Sequence, residues 1–272
     1  MRTVEATLNY LGPMSERPLF YPAAPGRTNL VLEPHTVRIR DARTLPTAAS
    51  LEREGFALTS QRSEVANFRD SSQIETRYLK EIARLIQEMT GADEVRASPG
   101  AVARYVDRSD TSRSAQTAPA ARFVHTDYTD VSARDHFLPQ IMDVNEALTR
   151  YRRIVVYQTW RALSDPPQDV PLAIADGRTV HHEHLIAADT ILGDEYSVAQ
   201  SFEYSMCRYS AQHEWYYFSN MKADEVLVFK GYDFEGARLA RLPHTAFDDP
   251  SAPSGAPPRA SIEARAFAFF RN

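Results

Sequence analysis

Residues 123–129 read Phe-Val-His-Thr-Asp-Tyr-Thr, a run of β-branched and aromatic residues that is typical of a β-strand. On an extended strand, residues i and i+2 point to the same face, so His125 and Asp127 are placed to bind one ion. A lone His-x-Asp pair is a weak signal, because a chain of 272 residues with 8 His and 36 acidic residues contains such pairs by chance. The pair becomes informative only if a third ligand follows.

A distant histidine and an arginine complete the pattern. His244 lies in Pro-His-Thr at 243–245, and Arg265 lies in the alternating segment 262–270, Ile-Glu-Ala-Arg-Ala-Phe-Ala-Phe-Phe. Two His and one carboxylate with open positions opposite them form the ligand set of non-haem Fe(II) oxygenases. The order of these elements predicts a mainly β fold, a double-stranded β-helix of the jelly-roll or cupin-like kind.

Arg265 is the predicted partner of 2-oxoglutarate. A guanidinium offers two parallel donors to a planar carboxylate, which suits the far carboxylate of this cosubstrate. Two alternatives stay open from the residues alone. Arg265 pairs with Glu263 on the same strand face, or Arg208 takes the cosubstrate instead.

Longer motifs through the C-terminal half carry a resemblance to a known family. Besides residues 123–129, they are Tyr-Gln-Thr-Trp-Arg at 157–161, Pro-Leu-Ala-Ile-Ala-Asp at 171–176, His-Glu-Trp-Tyr-Tyr-Phe at 213–218, Asp-Glu-Val-Leu-Val-Phe-Lys at 224–230, Pro-His-Thr-Ala-Phe-Asp-Asp-Pro at 243–250 and Ser-Ile-Glu-Ala-Arg at 261–265. In these motifs and their order, the chain resembles the CmcJ/NvfI-like family of iron/2-oxoglutarate oxygenases. At 100–105 it departs from the family, whose aromatic-Asp-His-Thr-x-Arg stretch is replaced by Gly-Ala-Val-Ala-Arg-Tyr.

The resemblance implies a function. Members of this family use Fe(II) and O₂ to convert 2-oxoglutarate to succinate and CO₂ while oxidising an unactivated C–H bond of a small molecule. Hydroxylation, desaturation or ring formation follows, usually in specialised metabolism. We therefore expect an oxidoreductase, a 2-oxoglutarate-dependent dioxygenase, with Fe(II) as its metal and 2-oxoglutarate and O₂ as cosubstrates.

Five further residues are candidates for substrate contact or for support of the metal ligands: Tyr128, Trp160, Arg161, His213 and Tyr216. Packing in a strand-rich core is the alternative for each of them. Residues 181–184, His-His-Glu-His, form a rival metal site. Flanking Gly and Asp residues mark a loop there, and three adjacent ligands give poor geometric control. We therefore expect this segment to be a loop without a metal.

Composition indicates the kind of protein. The net charge is −5, with 31 basic and 36 acidic residues spread along the chain, which argues against a nucleic-acid or membrane partner. Cys207 is the only cysteine and excludes an intramolecular disulfide or an iron–sulfur cluster held by this chain alone. No apolar run approaches the ~20 residues needed to span a bilayer, and the start lacks the apolar core of a signal peptide. We expect a cytoplasmic location; the oligomeric state is not predicted.

Patterning predicts one domain, with residues 1–100 as a covering arm and helix and 101–272 as the β-helix core. The arm contains strand-like pieces at 4–10 and 36–40. A capping box at Ser72 and an apolar stripe ending at Gly91 predict a helix, and 144–151 predicts a short one. Strands are expected at 153–157, 224–230 and 262–270, with the Pro-rich segment 249–258 looping out and 107–119 forming a loop before the His-x-Asp strand.

Two other functions remain possible from the sequence. One is an iron oxygenase that needs no 2-oxoglutarate, and the other is a jelly-roll binding protein without redox chemistry. Only a 2-oxoglutarate-dependent oxygenase couples succinate production to oxidation of its substrate, so this measurement distinguishes it from both alternatives.

Overall fold

Two curled sheets contain most of the chain in the computed structural model, which describes residues 2–105, 120–193, 201–236 and 241–271. The strands are β1 Thr3–Leu11, β2 Leu19–Phe20, β3 Leu32–Asp41, β4 Phe56–Ser60, β5 Glu94–Ala97, β6 Val102–Tyr105, β7 His125–Thr126, β8 Arg153–Ala162, β9 Leu172–Ala175, β10 Leu185–Ile191, β11 Ser201–Cys207, β12 Trp215–Tyr217, β13 Glu225–Asp233, β14 His244–Ala246 and β15 Ala260–Phe270. The predicted strands at 153–157, 224–230 and 262–270 are confirmed.

The larger sheet has nine strands in the order β1-β3-β12-β9-β14-β7-β11-β10-β2. The smaller sheet has the order β4-β13-β8-β15-β5, and β6 pairs with β15 off this path. Most neighbours are antiparallel, and the 11-residue β15 lies between β8 and the two short strands β5 and β6. Strand β7 therefore occupies the interior of one sheet, and β15 occupies the interior of the other.

Strand β15 shows how alternation positions the site. Its even-numbered side chains, Ile262, Ala264, Ala266 and Ala268, are buried against the long helix. The three alanines let the helix approach the strand closely. A large apolar side chain that is fully buried at this contact, such as Ile262, contributes roughly 1.5–3 kcal/mol to the stability of the fold. The odd-numbered residues point to the opposite face, toward β7. This face carries Glu263 and Arg265.

The long helix, α1, runs through Ser71–Gln73, Ile74–Tyr78 and Leu79–Thr90. It confirms the predicted helix, but its cap lies two residues earlier than the sequence suggested, because the side chain of Asp70 accepts from the Ser72 and Gln73 amides. Gly91 ends it with φ of 67°, a left-handed conformation that favours glycine. The short helix α2, Val144–Arg150, is also present.

The first hundred residues contribute strands to both sheets: β1 and β3 extend the larger sheet beyond β12, and β4 and β5 extend the smaller one. The Pro-rich segment loops out between β14 and β15, as predicted. The predicted loop at 107–119 lies outside the described residues. Among the helices that are described, none combines the length and the apolar character needed to cross a membrane.

Candidate metal centre

The two histidines of the predicted triad lie side by side. His125 is the first residue of β7 and His244 is the first residue of β14, and the two are register partners across the antiparallel pair. Their ring centroids are 4.5 Å apart. Asp127 follows β7 and points to the same face as His125. One ligand atom from each of the three residues falls within 4.8 Å of the others.

Both imidazoles are held in the tautomer that a metal needs. The Nδ1 of His125 lies 2.9 Å from the Phe123 carbonyl oxygen, and the Nδ1 of His244 lies 3.1 Å from the Leu242 carbonyl oxygen. Because a carbonyl only accepts, Nδ1 carries the proton in both rings and Nε2 keeps its lone pair. The two Nε2 atoms lie 3.4 and 3.7 Å from the same Asp127 oxygen, Oδ1.

The other oxygen of Asp127 is held by the opposite sheet. Arg265 donates to Oδ2 through Nε at 3.0 Å and also through a second guanidinium nitrogen. Gln158 of β8, the register partner of Arg265, donates to the same atom at 2.8 Å. Asp127 therefore has one oxygen facing the imidazoles and one fixed from behind.

Gly231 makes the Gln158 contact possible. A Cβ at this position would lie 2.7 Å from the Gln158 side-chain oxygen and 3.0 Å from the Tyr128 ring. The strand register shifts at this point, between Lys230 and Tyr232. A glycine is needed here because of close approach, not because of its backbone angles.

The protonation forms of Asp127 and His244 suit metal binding. Burial alone would raise the pKa of Asp127, but the Arg265 guanidinium and the two imidazoles hold it well below its usual range. Burial, together with the neighbouring His125, lowers the pKa of His244 to about 4. A carboxylate and a neutral imidazole are the forms that coordinate a metal.

A second group of charges lies at the start of β15, with Arg259 just before the strand and Glu263 within it. Arg259 is 2% exposed, and it donates to Ser261 at 3.3 Å and to the Val170 carbonyl oxygen at 3.2 Å. Its ion-pair partner among the described residues is Glu263, at 3.8 Å. Glu263 lies closer to Arg104, at 3.0 Å. Burial lowers the pKa of Arg259 to about 10. Its described carboxylate partner, Glu263, is no closer than 3.8 Å, so a second carboxylate would be favourable here.

Three of the secondary candidates face this interior. The Tyr128 ring is fully buried beside Gly231, close enough for the charges of Arg265 and Asp127 to act on its hydroxyl. Trp160 lies under the Arg259 guanidinium, 5.1 Å from it. Tyr216 packs with Phe56 and Ile174, and its hydroxyl lies 3.3 Å from Glu214.

The other two secondary candidates lie elsewhere. Arg161 points to the helix side of β8, where it donates to the Gln61 and Ala223 carbonyl oxygens beside the Tyr78 ring. His213 stacks on Tyr10 and lies 3.0 Å from the His184 ring nitrogen. Arg208, the alternative to Arg265, is exposed at the end of β11.

The His-rich segment does not assemble a ligand set. Residues His182–His184 form a single turn, and His184 accepts from the His181 amide at 3.3 Å. Within the described part of the chain, the triad is the one group of three or more potential ligands that converges.

Sequence reasoning missed Gln158, Gly231 and Arg259. Gln158 is two residues from the candidate Trp160, on the same face of β8, whereas Arg259 lies just before β15, six residues from the candidate Arg265. The buried pair Arg259 and Ser261 carried a signal in its alternation with Glu263 and Arg265.

Comparisons with known proteins agree on one family. A family model described as YDMC, oxidoreductase/YMDC permease-like domain, matches residues 8–269. The Fe(II)/2-oxoglutarate-dependent dioxygenase nvfI of Aspergillus novofumigatus is 33% identical over 255 residues, which cover 90% of this chain and 87% of the relative. The hydroxylase/desaturase efuI of Hormonema carpetanum is 30% identical over 288 residues, 99% of this chain and 96% of the relative.

A solved structure matches the whole chain. It is the iron and alpha-ketoglutarate-dependent endoperoxidase NvfI, with a TM-score of 0.85 and 27% identity over 99% of this chain and 98% of that one. This match confirms the predicted jelly-roll fold.

Proposed function

Because this chain belongs to the oxidoreductase family that includes Fe(II)/2-oxoglutarate-dependent dioxygenases and hydroxylase/desaturases, we propose that His125, Asp127 and His244 hold its Fe(II). The observation that carries the proposal is the convergence of one ligand atom from each of His125, Asp127 and His244 within 4.8 Å, with the Nδ1 of both rings directed at a backbone carbonyl oxygen. Three protein ligands leave three of six positions vacant on iron. The donor set therefore fits the metal.

Iron bound here supplies the activation of O₂ that drives oxidation of a C–H bond, with 2-oxoglutarate as the electron donor. The chain's own residues prepare that site. The Phe123 and Leu242 carbonyl oxygens orient the imidazoles, and Arg265 and Gln158 keep Asp127 ionised and turned toward them.

We assign the far carboxylate of 2-oxoglutarate to Arg259 and Ser261. Arg259 is buried with its nearest carboxylate at 3.8 Å, so an incoming carboxylate would complete its charge balance. Arg265, in contrast, already has Asp127 in contact. The sequence-based assignment of this role to Arg265 stays a prediction, and a direct comparison of the two arginines tests it.

The substrate is a small molecule, and its oxidation ends in hydroxylation, desaturation or ring formation. We further propose that the enzyme acts in the cytoplasm, which suits a chain whose single cysteine, Cys207, is buried and unpaired.

The test is iron stoichiometry measured together with succinate formation. Wild type should bind one Fe(II) per chain and form succinate from 2-oxoglutarate in air. His125→Ala, Asp127→Ala and His244→Ala should each lose most bound iron and succinate formation while keeping the far-ultraviolet circular dichroism of wild type. Full iron content in any one variant would remove that residue from the triad.

A further inference from the structure

The metal centre lies between two unlike surfaces of the interior. In the larger sheet β7 has β14 on one side and β11 on the other. Beyond β14 lies β9, and the Val170 carbonyl oxygen just before β9 accepts from Arg259. That side is cationic. Beyond β11 lie β10 and β2, and there the side chains are apolar.

We call this second surface the apolar wall. Its members come from the N-terminal segment, β2, β10, β11 and the residues before β7, and they are Leu11, Met14, Phe20, Leu30, Ala121, Phe123, Ile186, Ala188, Tyr204 and Met206. Charged residues on the same strands point away from it. Asp189 and Glu203 bind Arg17 on the other face, each at 2.5 Å.

The apolar wall touches the metal ligand itself. Met206 is the register partner of His125. The Phe123 ring lies 5.2 Å from the His125 ring, and the Tyr204 ring meets it edge-on at 6.4 Å. Several outer members, among them Phe20 and Leu30, are only partly buried although they pack on this cluster. The wall thus starts at the imidazole and continues outward to side chains that are only partly buried.

One polar atom in the apolar wall lacks a partner. Tyr204 is 3% exposed, and its hydroxyl makes no hydrogen bond to any described residue. Buried phenol groups usually find a partner, because an unsatisfied one costs about 1–3 kcal/mol. A hydroxyl in this position is a donor that a ligand oxygen would satisfy.

We propose that the apolar wall binds the substrate, a predominantly apolar and uncharged molecule, and that the Tyr204 hydroxyl donates a hydrogen bond to a carbonyl, ether or hydroxyl oxygen on it. This inference rests on the proposed function and adds the substrate class to it. The substrate approaches the metal from the β11 side while 2-oxoglutarate lies on the side of Arg259. The two bind together and do not compete.

The first test uses a neutral apolar fluorophore. N-phenyl-1-naphthylamine is titrated into the anaerobic Fe(II) protein saturated with 2-oxoglutarate, and emission reports binding. Leu30→Asp places a carboxylate on the wall and should weaken binding about tenfold or more, because the charge must be desolvated. Leu32→Asp is the matched control, since Leu32 is 41% exposed and lies outside the wall. Equal effects of the two variants, or weaker binding of the probe with saturating 2-oxoglutarate than without it, would overturn the proposal.

The second test isolates the Tyr204 hydroxyl. Two probes of similar shape are compared, 2-acetonaphthone, which carries a carbonyl oxygen, and 2-ethylnaphthalene, which carries none. Tyr204→Phe should weaken binding of the ketone about tenfold and leave the hydrocarbon unchanged. Tyr217→Phe is the control, because Tyr217 has an equally unpartnered buried hydroxyl in a different cluster. An equal loss for both probes assigns Tyr204 to packing alone and refutes the hydrogen bond.

A calorimetric titration of 2-oxoglutarate on the same samples keeps the two proposals apart. If 2-oxoglutarate fails to bind the Fe(II) protein, the proposed function fails. If 2-oxoglutarate binds, but Leu30→Asp binds the fluorophore as wild type does and Tyr204→Phe binds the ketone as wild type does, only the proposal on the apolar wall is refuted.

Discussion

Arg265 and Asp127 are joined across the interior by contacts to a single carboxylate oxygen, Oδ2, with the Arg265 Nε at 3.0 Å. The two histidines face the other oxygen, Oδ1. The two oxygens of Asp127 therefore have different partners. Asp127 would then offer a metal only Oδ1, and the three proposed ligands would leave positions for 2-oxoglutarate and O₂.

Replacing Arg265 and Arg259 by leucine, one at a time, distinguishes their roles. Arg265→Leu should weaken Fe(II) binding about 10- to 100-fold, because a residue that orients a ligand is lost. Arg259→Leu should instead raise the 2-oxoglutarate requirement about thirtyfold or more, since a buried charge pair is worth roughly 2–5 kcal/mol when one partner is truncated. Iron affinity is measured by competition with a chelator, and the 2-oxoglutarate requirement is measured at saturating iron.

The variant Arg259→Lys serves as a control for Arg259→Leu. Arg259→Lys should recover only part of the loss, because an ammonium keeps the charge but not the fork. The opposite outcome, with Arg265→Leu raising the 2-oxoglutarate requirement and Arg259→Leu leaving it unchanged, would restore the assignment made from the sequence.

Gly231→Ala should act on the metal although the residue touches no ligand. Its Cβ would meet the Gln158 oxygen at 2.7 Å and push the amide away from Asp127, so we expect iron affinity to fall several-fold. Gly255→Ala, where a Cβ meets nothing within 4 Å, is the control. If Gly231→Ala weakens iron binding equally in the wild type and in a Gln158→Ala background, the effect does not pass through Gln158.

Replacing His181, His182 and His184 together by Gln should leave iron stoichiometry near one per chain. The three side chains do not converge with a further ligand within the described residues. Metal analysis of the purified triple variant provides the measurement. Loss of iron from that variant would make the segment part of the metal centre after all.

His213 should make the fold sensitive to acid. Burial, with His184 and His181 nearby, lowers the pKa of His213 from 6.5 to about 4. The unfolded chain therefore binds more protons than the folded one between these values, and the free energy of unfolding decreases as pH falls through this window. A shift of this size corresponds to at most about 3 kcal/mol.

His213→Gln is the variant that checks this. Gln still offers a donor to the His184 ring nitrogen but does not titrate. Denaturant unfolding at pH 7 and pH 4.5 should show a smaller loss of stability in the variant than in wild type. Because the pKa values of His184 and His244 are also lowered, only the difference between the two proteins in their loss of stability from pH 7 to pH 4.5 counts. Equal losses would contradict the prediction.

Local patterns were enough to predict the long helix and the late strands, because each rests on alternation or helical periodicity within one segment. His125 and Asp127 share a strand face in any extended chain. The partners of those residues could not be predicted in this way. Gln158 and Arg265 meet Asp127, and Gly231 leaves room for Gln158, only because β8, β13 and β15 pair in a particular register, which no single segment specifies.

The cap of α1 differs from the predicted one, and Arg161 lies away from the metal centre, for similar reasons. Asp70 and Ser72 are both good caps, and the choice between them depends on where the preceding chain comes from. Arg161 follows Trp160 in a motif of the family, yet alternation sends it to the opposite face, where it binds backbone carbonyl oxygens. Nearness in sequence to a site residue is poor evidence for membership when the element is a strand.

The pairing of His125 with His244 has a consequence for how the chain folds. These residues belong to adjacent strands, but the whole of β8 to β13 lies between them in the sequence. A metal bound by both would act as a removable cross-link that closes this long loop, and the two imidazoles come together only when β7 and β14 pair. Iron loading would thus report the finished assembly of the interior, and the metal's binding energy would be added mainly to the stability of the native state.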